Sequence, residues 1–165
     1  MASPALHIRA AQLSDVPQIL AFIRELAEYE REPDAVVATE ALLAQQLFGK
    51  HPGAEVLIAE QDDVPAGFAL FFHNFSTWKG RRGLWLEDLF VRPQFRGAGI
   101  GLALMRHLAR IAVRRDCGRF EWSVLDWNTP SIDFYRRLGA VGMDEWTTQR
   151  LDGDALLALA AEPER

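Results

Sequence analysis

The stretch FVRPQFRGAGIGLALMRHLARIA (residues 90–112) joins a strand-like run to a helix-like run through a turn that holds an arginine and three glycines. Glycine inside an element weakens it by about 0.5–1 kcal/mol relative to alanine. Glycines as close together as Gly97, Gly99 and Gly101 therefore indicate a backbone that something approaches closely. Converging backbone N–H groups and the positive end of a helix dipole make such a turn suited to phosphate.

Two common phosphate-binding patterns do not fit this turn. A P-loop ends in Gly-Lys-Ser/Thr, but Gly101 is followed by Leu102. The dinucleotide fingerprint requires G-x-G-x-x-G, whereas these glycines are spaced two apart. The pattern that is present is Arg-x-x-Gly-x-Gly, formed by Arg96, Gly99 and Gly101. A tight strand-to-helix turn without a ligand is the alternative interpretation of the same residues.

The composition is that of an ordinary folded protein. The 165 residues are 49% hydrophobic and 25% charged, which predicts a single domain over residues 1–165. One cysteine, Cys117, excludes an internal disulfide and predicts a reducing, cytoplasmic location. The chain has no apolar run of about 18 residues and no secretory signal, so we expect no membrane association.

The net charge of −5 argues against a nucleic-acid partner and is compatible with a cationic ligand. The four histidines show no metal-binding spacing, so we expect no metal cofactor.

Hydrophobic periodicity predicts strands and helices that alternate along the chain. The predicted strands are 6–11, 54–61, 66–75, 83–91 and 119–126, with one or two more in 140–151. The predicted helices are 16–30, 40–49, a long helix from 99, 128–138 and a terminal helix over 154–162. This order predicts an α/β or α+β domain with a mixed sheet.

The motifs resemble those of the GNAT superfamily of N-acetyltransferases. The Arg-x-x-Gly-x-Gly pattern directly after LEDLFV (86–91) resembles its acetyl-CoA-binding motif. The segment VLDWNTPSIDFYRRLGA (124–140) resembles its later motif, in which an Asn begins a helix and a Tyr follows near the middle. ELAEYE (25–30), LEDLFV and DWNTPSIDFY (126–135) are most similar to the diamine branch, which includes spermidine/spermine and thialysine N-acetyltransferases.

The resemblance implies a fold, a co-substrate and an assembly. The fold is a mixed, mostly antiparallel twisted sheet of roughly six to seven strands flanked by about four helices. The co-substrate is acetyl-CoA, the other substrate is a small-molecule amine, and the assembly is a homodimer. The implied coenzyme contacts lie in the fourth main strand, the glycine turn and the later helix: Leu89, Phe90, Val91, Arg96, Gly97, Ala98, Gly99, Ile100, Gly101, Leu102, Asn128, Ser131 and Phe134.

The resemblance also assigns catalytic roles. Tyr135 stands at the position of the general acid that protonates the departing thiolate, and Glu87 at that of the base or water-holding residue. Backbone N–H groups at a bulge around residues 89–91 would stabilise the oxyanion. From spacing alone, Tyr135 also fits a core tyrosine, and Glu87 with its neighbour Asp88 also fits a salt bridge to an arginine such as Arg81 or Arg82.

The implied substrate contacts are acidic or aromatic. They are Tyr29, Glu30, Asp88 and Glu145. Taken alone, Glu30 also fits a solvated helix end. The loop before Glu145 is shorter than in relatives, which leaves any inherited substrate preference open.

The predicted function is therefore acetyl-CoA-dependent acetylation of the primary amine of a diamine, a polyamine or a lysine-like amino acid, by direct transfer in a ternary complex. A protein or peptide amine as the acceptor is one alternative. A non-catalytic acyl-CoA-binding module is the other.

Overall fold

The computed structural model describes residues 5–161 and divides them into two compact units, one up to residue 123 and one from residue 124 onward. In the part of the chain that is described, no helix is both long enough and apolar enough to cross a membrane.

The first unit contains a five-stranded sheet, a small two-stranded sheet and three α-helices. Its strands are β1 (Leu6–Ala10), β2 (Glu55–Gln61), β3 (Val64–Phe72), β4 (Phe75–Ser76), β5 (Arg81–Arg82), β6 (Leu84–Val91) and β7 (Phe120–Trp122). Its helices are α1 (Val16–Tyr29), α2 (Glu40–Phe48) and α3 (Ile100–Arg114). The main sheet has the order β1-β2-β3-β6-β7, with β7 parallel to β6 and the other pairs antiparallel. The class predicted from the sequence is confirmed.

The core on one side of the sheet is built against α1. Phe22 of α1 stacks on Phe68 of β3 with ring centroids 5.2 Å apart, and Phe90 of β6 meets Phe22 edge-on at 6.4 Å. Helix α3 contacts β3 and β6 through the apolar face that its periodicity predicted, on which Ile100 and Leu104 are buried. The sheet therefore holds the end of α1 and the start of α3 at fixed positions along β6.

Strand β6 continues beyond its pairing with β7. The parallel pairing joins Leu84–Leu86 to Phe120–Trp122 and stops there. Residues 87–91 remain paired with β3 on one edge, while no strand of the described chain pairs with their other edge. The sheet thus opens next to the carboxylate pair and the glycine turn.

The second unit contains α4 (Thr129–Arg137) and α5 (Gly153–Ala160). Helix α5 agrees with the terminal helix predicted for 154–162, of which residue 162 lies outside the described residues.

The strands predicted for 140–151 were wrong, because this segment has no strand in the structure. A turn closed by the Trp146 N–H and the Met143 carbonyl, 3.0 Å apart, occupies its middle. Gly142 and the charged pair at 144–145 interrupt the apolar alternation that a strand needs. Seven strands are present among the described residues, but five of them form the main sheet.

Candidate active site

A β-bulge in β6 sets the orientation of the carboxylate pair. Leu70 of β3 stands opposite Asp88, and the next residue, Phe71, stands opposite Leu86, so Glu87 is the extra residue. The bulge predicted around 89–91 is therefore located at 87 instead. In a regular strand, positions 84, 86, 88 and 90 would share one face.

The bulge moves Asp88 to the α1 side of the sheet. Phe90 belongs to the cluster that includes Phe22 of α1, and Leu70 packs against that cluster. Because directly opposed residues share a face, Asp88 lies on the same side as Leu70. An extra residue between Leu86 and Asp88 thus lets both strand halves bury their leucine and phenylalanine side chains while Asp88 faces the end of α1.

Asp88 lies in an electrostatically unfavourable place for a carboxylate. Burial, followed by the negative charges of Glu87 and Glu30, raises the pKa of Asp88 to about 7. Glu30, at the carboxyl end of α1, is half-buried, and that burial raises its own pKa. Three carboxylates from two elements therefore converge on one region.

No ion pair within the described residues neutralises this carboxylate cluster. Among residues 5–161, neither Glu87 nor Asp88 forms an ion pair with an arginine or lysine. Arg81, one of the partners considered from the sequence, pairs instead with Asp116 at 2.7 Å. The salt-bridge alternative for the pair is not what the structure shows. An unneutralised acidic cluster suits a cationic ligand.

Glu87 differs from Asp88 in exposure and in partner. Its side chain is exposed, and the Trp85 indole Nε1–H donates a hydrogen bond to its Oε2 at 2.9 Å. The indole fixes the direction of this exposed carboxylate through one of its two oxygens.

Arg96 connects the glycine turn to the end of α1. Its Nε–H donates to the Val91 carbonyl at 3.0 Å, and its guanidinium lies over the Tyr29 ring at 5.0 Å from the centroid. The Phe90 ring lies 5.9 Å from the same guanidinium carbon. The structure thus brings Arg96, predicted as a coenzyme contact, next to Tyr29, predicted as a substrate contact.

The open edge of β6 presents backbone donors. The Arg92 N–H donates to the Ala66 carbonyl of the β3 side at 2.9 Å. Because backbone groups alternate along a strand, those of Leu89 and Val91 point to the opposite, unpaired edge. The bond from Arg96 to the Val91 carbonyl agrees with this direction. These N–H groups are suited to bind an amide or to stabilise an oxyanion.

The glycine turn borders open space in the part of the chain that the structure describes. Gly97 and Gly99 have φ angles of 83° and 79°, and Gly99 caps α3. Apart from the adjoining residues and the backbone of α3 itself, no atom of the described chain lies within 4 Å of a Cβ added at Gly97, Gly99 or Gly101. Packing inside the protein therefore does not explain Gly101, which has an ordinary helical position.

The first turn of α3 also carries unused donors. The helical hydrogen bonds begin with Ala103, whose N–H donates to the Gly99 carbonyl at 2.9 Å. The N–H groups of residues 100–102 precede this bond and have no acceptor within the helix. Open space, free donors and a positive helix end fit the phosphates of acetyl-CoA.

The second unit holds the other predicted residues. The Asn128 side chain accepts a hydrogen bond from the Ser131 N–H at 3.4 Å and caps α4, as predicted. The Phe134 and Tyr135 rings are 5.3 Å apart, and Tyr135 is half-buried. Glu145 is exposed.

Two features of the site were not predicted from the sequence. The first is the hydrogen bond from the Trp85 indole to Glu87. Trp85 lies two residues before Glu87 on one strand, and this spacing could have indicated that the two side chains share a face. Arg92 binds Glu25 of α1 at 2.7 Å, donates to the Pro65 carbonyl at 2.9 Å, and so ties the end of β6 to α1. Sequence spacing gave no signal for that contact. Within residues 5–161, no group of three or more His, Cys, Asp or Glu side chains is arranged to hold a metal ion.

Comparison with known proteins agrees with the motifs and the fold. The family model described as the acetyltransferase (GNAT) family matches residues 19–140. Thialysine N-epsilon-acetyltransferase from Sus scrofa is 38% identical over 94% of this chain and 97% of its own length. L-ornithine N5-acetyltransferase from Arabidopsis thaliana is 33% identical over 93% of this chain and 87% of its own length.

The solved structures agree as well. An integron cassette protein from V. cholerae superposes with a TM-score of 0.80 at 32% identity, covering 95% of this chain and 98% of its own. The predicted enzyme class, an amine acetyltransferase, is confirmed by the family and by these relatives. With its motifs, its opened sheet and its relatives in agreement, the chain belongs to the GNAT family of acetyltransferases.

Proposed function

We propose that this protein acetylates the primary amine of a small diamine, polyamine or lysine-like amino acid by direct transfer from acetyl-CoA in a ternary complex. The observation that carries the proposal is the cluster of Glu30, Glu87 and Asp88, which no cation of the described chain neutralises, at the open end of β6. The relatives named for thialysine and ornithine acetylation support a small amine with a second charged group.

The proposed coenzyme site begins at the glycine turn. The backbone of residues 97–102 would hold the pyrophosphate at the start of α3, with Arg96 adding positive charge. The edge of Leu89–Val91 would bind the pantetheine arm, and Asn128, Ser131 and Phe134 are proposed as further contacts to it. When bound, acetyl-CoA supplies the acetyl group as an activated thioester.

The chemical step makes three demands on the protein. The alkylammonium, with a pKa near 10.4, must lose a proton before it can attack. Glu87 and Asp88 are proposed to hold the amine and to remove that proton. The N–H groups of Leu89 and Val91 are proposed to stabilise the negative charge that develops on the thioester oxygen. Tyr135 Oη is proposed to protonate the departing sulfur.

We further propose a homodimer in the cytoplasm. Phe75 and Trp78, on and beside the β4–β5 hairpin, are 63% and 85% exposed, and such a surface supports a contact between copies. The single cysteine, Cys117, is consistent with a reducing compartment. Light scattering coupled to size-exclusion chromatography measures the mass of the assembly directly.

The test of the proposed function is thiol release from acetyl-CoA at pH 8 with a panel of acceptors: spermidine, putrescine, thialysine, ornithine, lysine, simple monoamines and peptides. A strong preference for a small diamine or lysine-like amino acid is the expected result. Turnover with peptides alone would replace the small amine by a protein acceptor. Binding of acetyl-CoA without turnover across the panel would indicate a non-catalytic module.

A further inference from the structure

We propose that Asp88 is the group that accepts the proton of the substrate ammonium, and that its neighbour Glu87 holds the amine or the water through which the proton passes. This inference rests on the proposed function and assigns separate roles to two adjacent carboxylates. The bulge gives the two side chains different surroundings, because Glu87 is the extra residue and Asp88 remains paired with Leu70.

The first observation is the position of Asp88. The extra residue at Glu87 places Asp88 opposite Leu70, on the α1 side of the sheet. There Asp88 is half-buried, and its burial and the negative charges of Glu87 and Glu30 raise its pKa. In the described chain it has neither an ion-pair partner nor a hydrogen-bond donor that would hold it permanently ionised. Even a half-buried carboxylate without such a partner is costly for a folded protein to keep unless it is used.

The second observation is the different environment of Glu87. It is exposed, and the Trp85 indole already occupies Oε2. A carboxylate fixed in this way has one oxygen left. That arrangement fits a residue that orients an ammonium or a water.

The charged groups around Asp88 support the assignment. Glu87 on its own strand and Glu30 on α1 both favour protonation of Asp88, and β3 places the apolar Leu70 opposite it. No arginine of the described chain is among the groups that shift the pKa of Asp88. Arg92, the next cation along the chain, pairs instead with Glu25 of α1 at 2.7 Å.

The basicity that results suits the reaction. A carboxylate with a pKa of about 7 rather than 3.8 takes a proton from an alkylammonium with an equilibrium constant that is larger by roughly 10³. A base is most efficient when its pKa lies near the working pH.

The proton step conserves atoms and charge. One N–H bond of the ammonium breaks, and an O–H bond forms on the Asp88 carboxylate, directly or through the water held by Glu87. The electron pair remains on nitrogen, which becomes a neutral amine able to attack the thioester carbonyl carbon. Asp88 returns its proton to solvent after the product leaves.

The experiment measures kcat/KM for the preferred amine between pH 5.5 and 9.5 in the wild type and in four variants. The variants are Asp88→Asn, Glu87→Gln, Glu30→Gln and the control Glu28→Gln, which neutralises an exposed carboxylate near the end of α1. In the wild type we expect the acidic limb to have a midpoint near 7.

The variants are expected to change the pH profile of kcat/KM in different ways. Asp88→Asn should lower kcat/KM by about 10²–10⁴-fold and remove the limb. Glu87→Gln and Glu30→Gln should keep the limb and lower its midpoint, because each removes a negative charge that favours protonation of Asp88. Glu28→Gln should leave the midpoint unchanged.

A second measurement does not depend on turnover. The ¹³C chemical shift of the Asp88 side-chain carboxyl, assigned by its loss in Asp88→Asn, should titrate near pH 7 in the free protein. Acetyl-CoA affinity and the melting temperature of Asp88→Asn show whether that variant is folded.

The outcomes separate the two levels of the proposal. No turnover of any amine by the wild type overturns the proposed function and this inference with it. Turnover by the wild type, combined with an acidic limb that persists in folded Asp88→Asn, overturns this inference alone. Loss of the limb in Glu87→Gln, with Asp88→Asn retaining both the limb and the rate, assigns the proton to Glu87 instead.

Discussion

At the scale of the residue, Asp88 is a half-buried carboxylate with a raised pKa, and its contribution to the stability of the fold depends on pH. Its folded pKa of about 7 lies above the ordinary value of 3.8, so the folded protein holds this proton more tightly than the unfolded chain. The associated stability is complete below about pH 4 and is lost as the pH rises through 7. The carboxylates whose pKa is lowered by arginine partners, Asp15, Glu55 and Glu60, act in the opposite direction and below about pH 5.

We therefore predict that Asp88→Asn is more stable than the wild type at pH 8 and that this advantage shrinks towards pH 5.5. Because the pKa of Asp88 is raised from 3.8 to about 7, the difference in the free energy of unfolding between the variant and the wild type should be about 2 kcal/mol larger at pH 8 than at pH 5.5. Urea titrations of both proteins at four pH values provide the measurement. All other ionisable groups are common to both proteins and cancel in the difference. Parallel stability curves for the two proteins would contradict the raised pKa.

Tyr135 allows a second prediction at this scale. Tyr135→Phe removes the proposed proton donor but keeps the ring that lies 5.3 Å from Phe134. We expect kcat to fall by about 10²-fold or more, because the thiolate then leaves without a proton from the protein. The dissociation constant for acetyl-CoA, measured by calorimetry, should change less than about twofold. An unchanged kcat would exclude Tyr135 from the mechanism and would indicate a core tyrosine that only packs.

At the scale of the element, the start of α3 combines poor helix propensity with open space. Gly101 has an ordinary helical conformation, and apart from the adjoining residues and the backbone of α3 itself no atom of the described chain lies within 4 Å of the position of a Cβ. Alanine should therefore be better for the helix itself by about 0.5 kcal/mol.

We predict that Gly101→Ala raises the melting temperature slightly and weakens acetyl-CoA binding about tenfold, because the added methyl group occupies space beside the donors of the first turn. The test is that stability rises while acetyl-CoA affinity falls. If Gly101 served only the fold, its replacement would not weaken binding while raising the melting temperature. Ala109→Gly, at an exposed position of the same helix, is the matched control: it should lower stability and leave affinity unchanged. A Gly101→Ala protein that binds acetyl-CoA normally would place the coenzyme phosphates elsewhere.

The helices and the glycine turn could be predicted from the sequence, whereas the position of the bulge could not. Helices α1 and α3 follow from local periodicity, and the glycine turn follows from residue types, so both were predictable. The bulge was predicted for the correct strand but not at Glu87, because it depends on the register between β3 and β6. That register results from packing of Phe68, Leu70 and Phe90 against α1, which is a non-local effect.

At the scale of the whole molecule, the sheet decides which predicted residues meet. The end of α1, the bulge of β6 and the start of α3 are distant in sequence, yet β6 brings their functional groups to one open edge within the first unit. The segment 140–151 was predicted less well, since a strand needs a pairing partner as well as a suitable composition. The candidate residues Tyr29, Glu30, Glu87 and Asp88 could thus be predicted from motifs. The contacts of Trp85 and Arg92, and the different surroundings of Glu87 and Asp88, could not, because they depend on the register of the sheet.

The charge of the molecule leads to the last prediction. A net charge of −5, and an acidic cluster that no arginine or lysine of the described chain pairs with, should favour an acceptor that keeps a second positive charge after one amine is deprotonated. We expect kcat/KM for a diamine to exceed that for a monoamine of equal length, in which a methyl group replaces the second amine. The ratio should fall about fivefold between 0.05 and 0.5 M salt, because the Debye length shortens from about 14 to about 4 Å. Glu30→Gln, which removes one cluster charge, should lower the ratio at low salt and make it less dependent on salt. A ratio that depends on neither salt nor Glu30 would show that the shape of the pocket, rather than its charge, selects the acceptor.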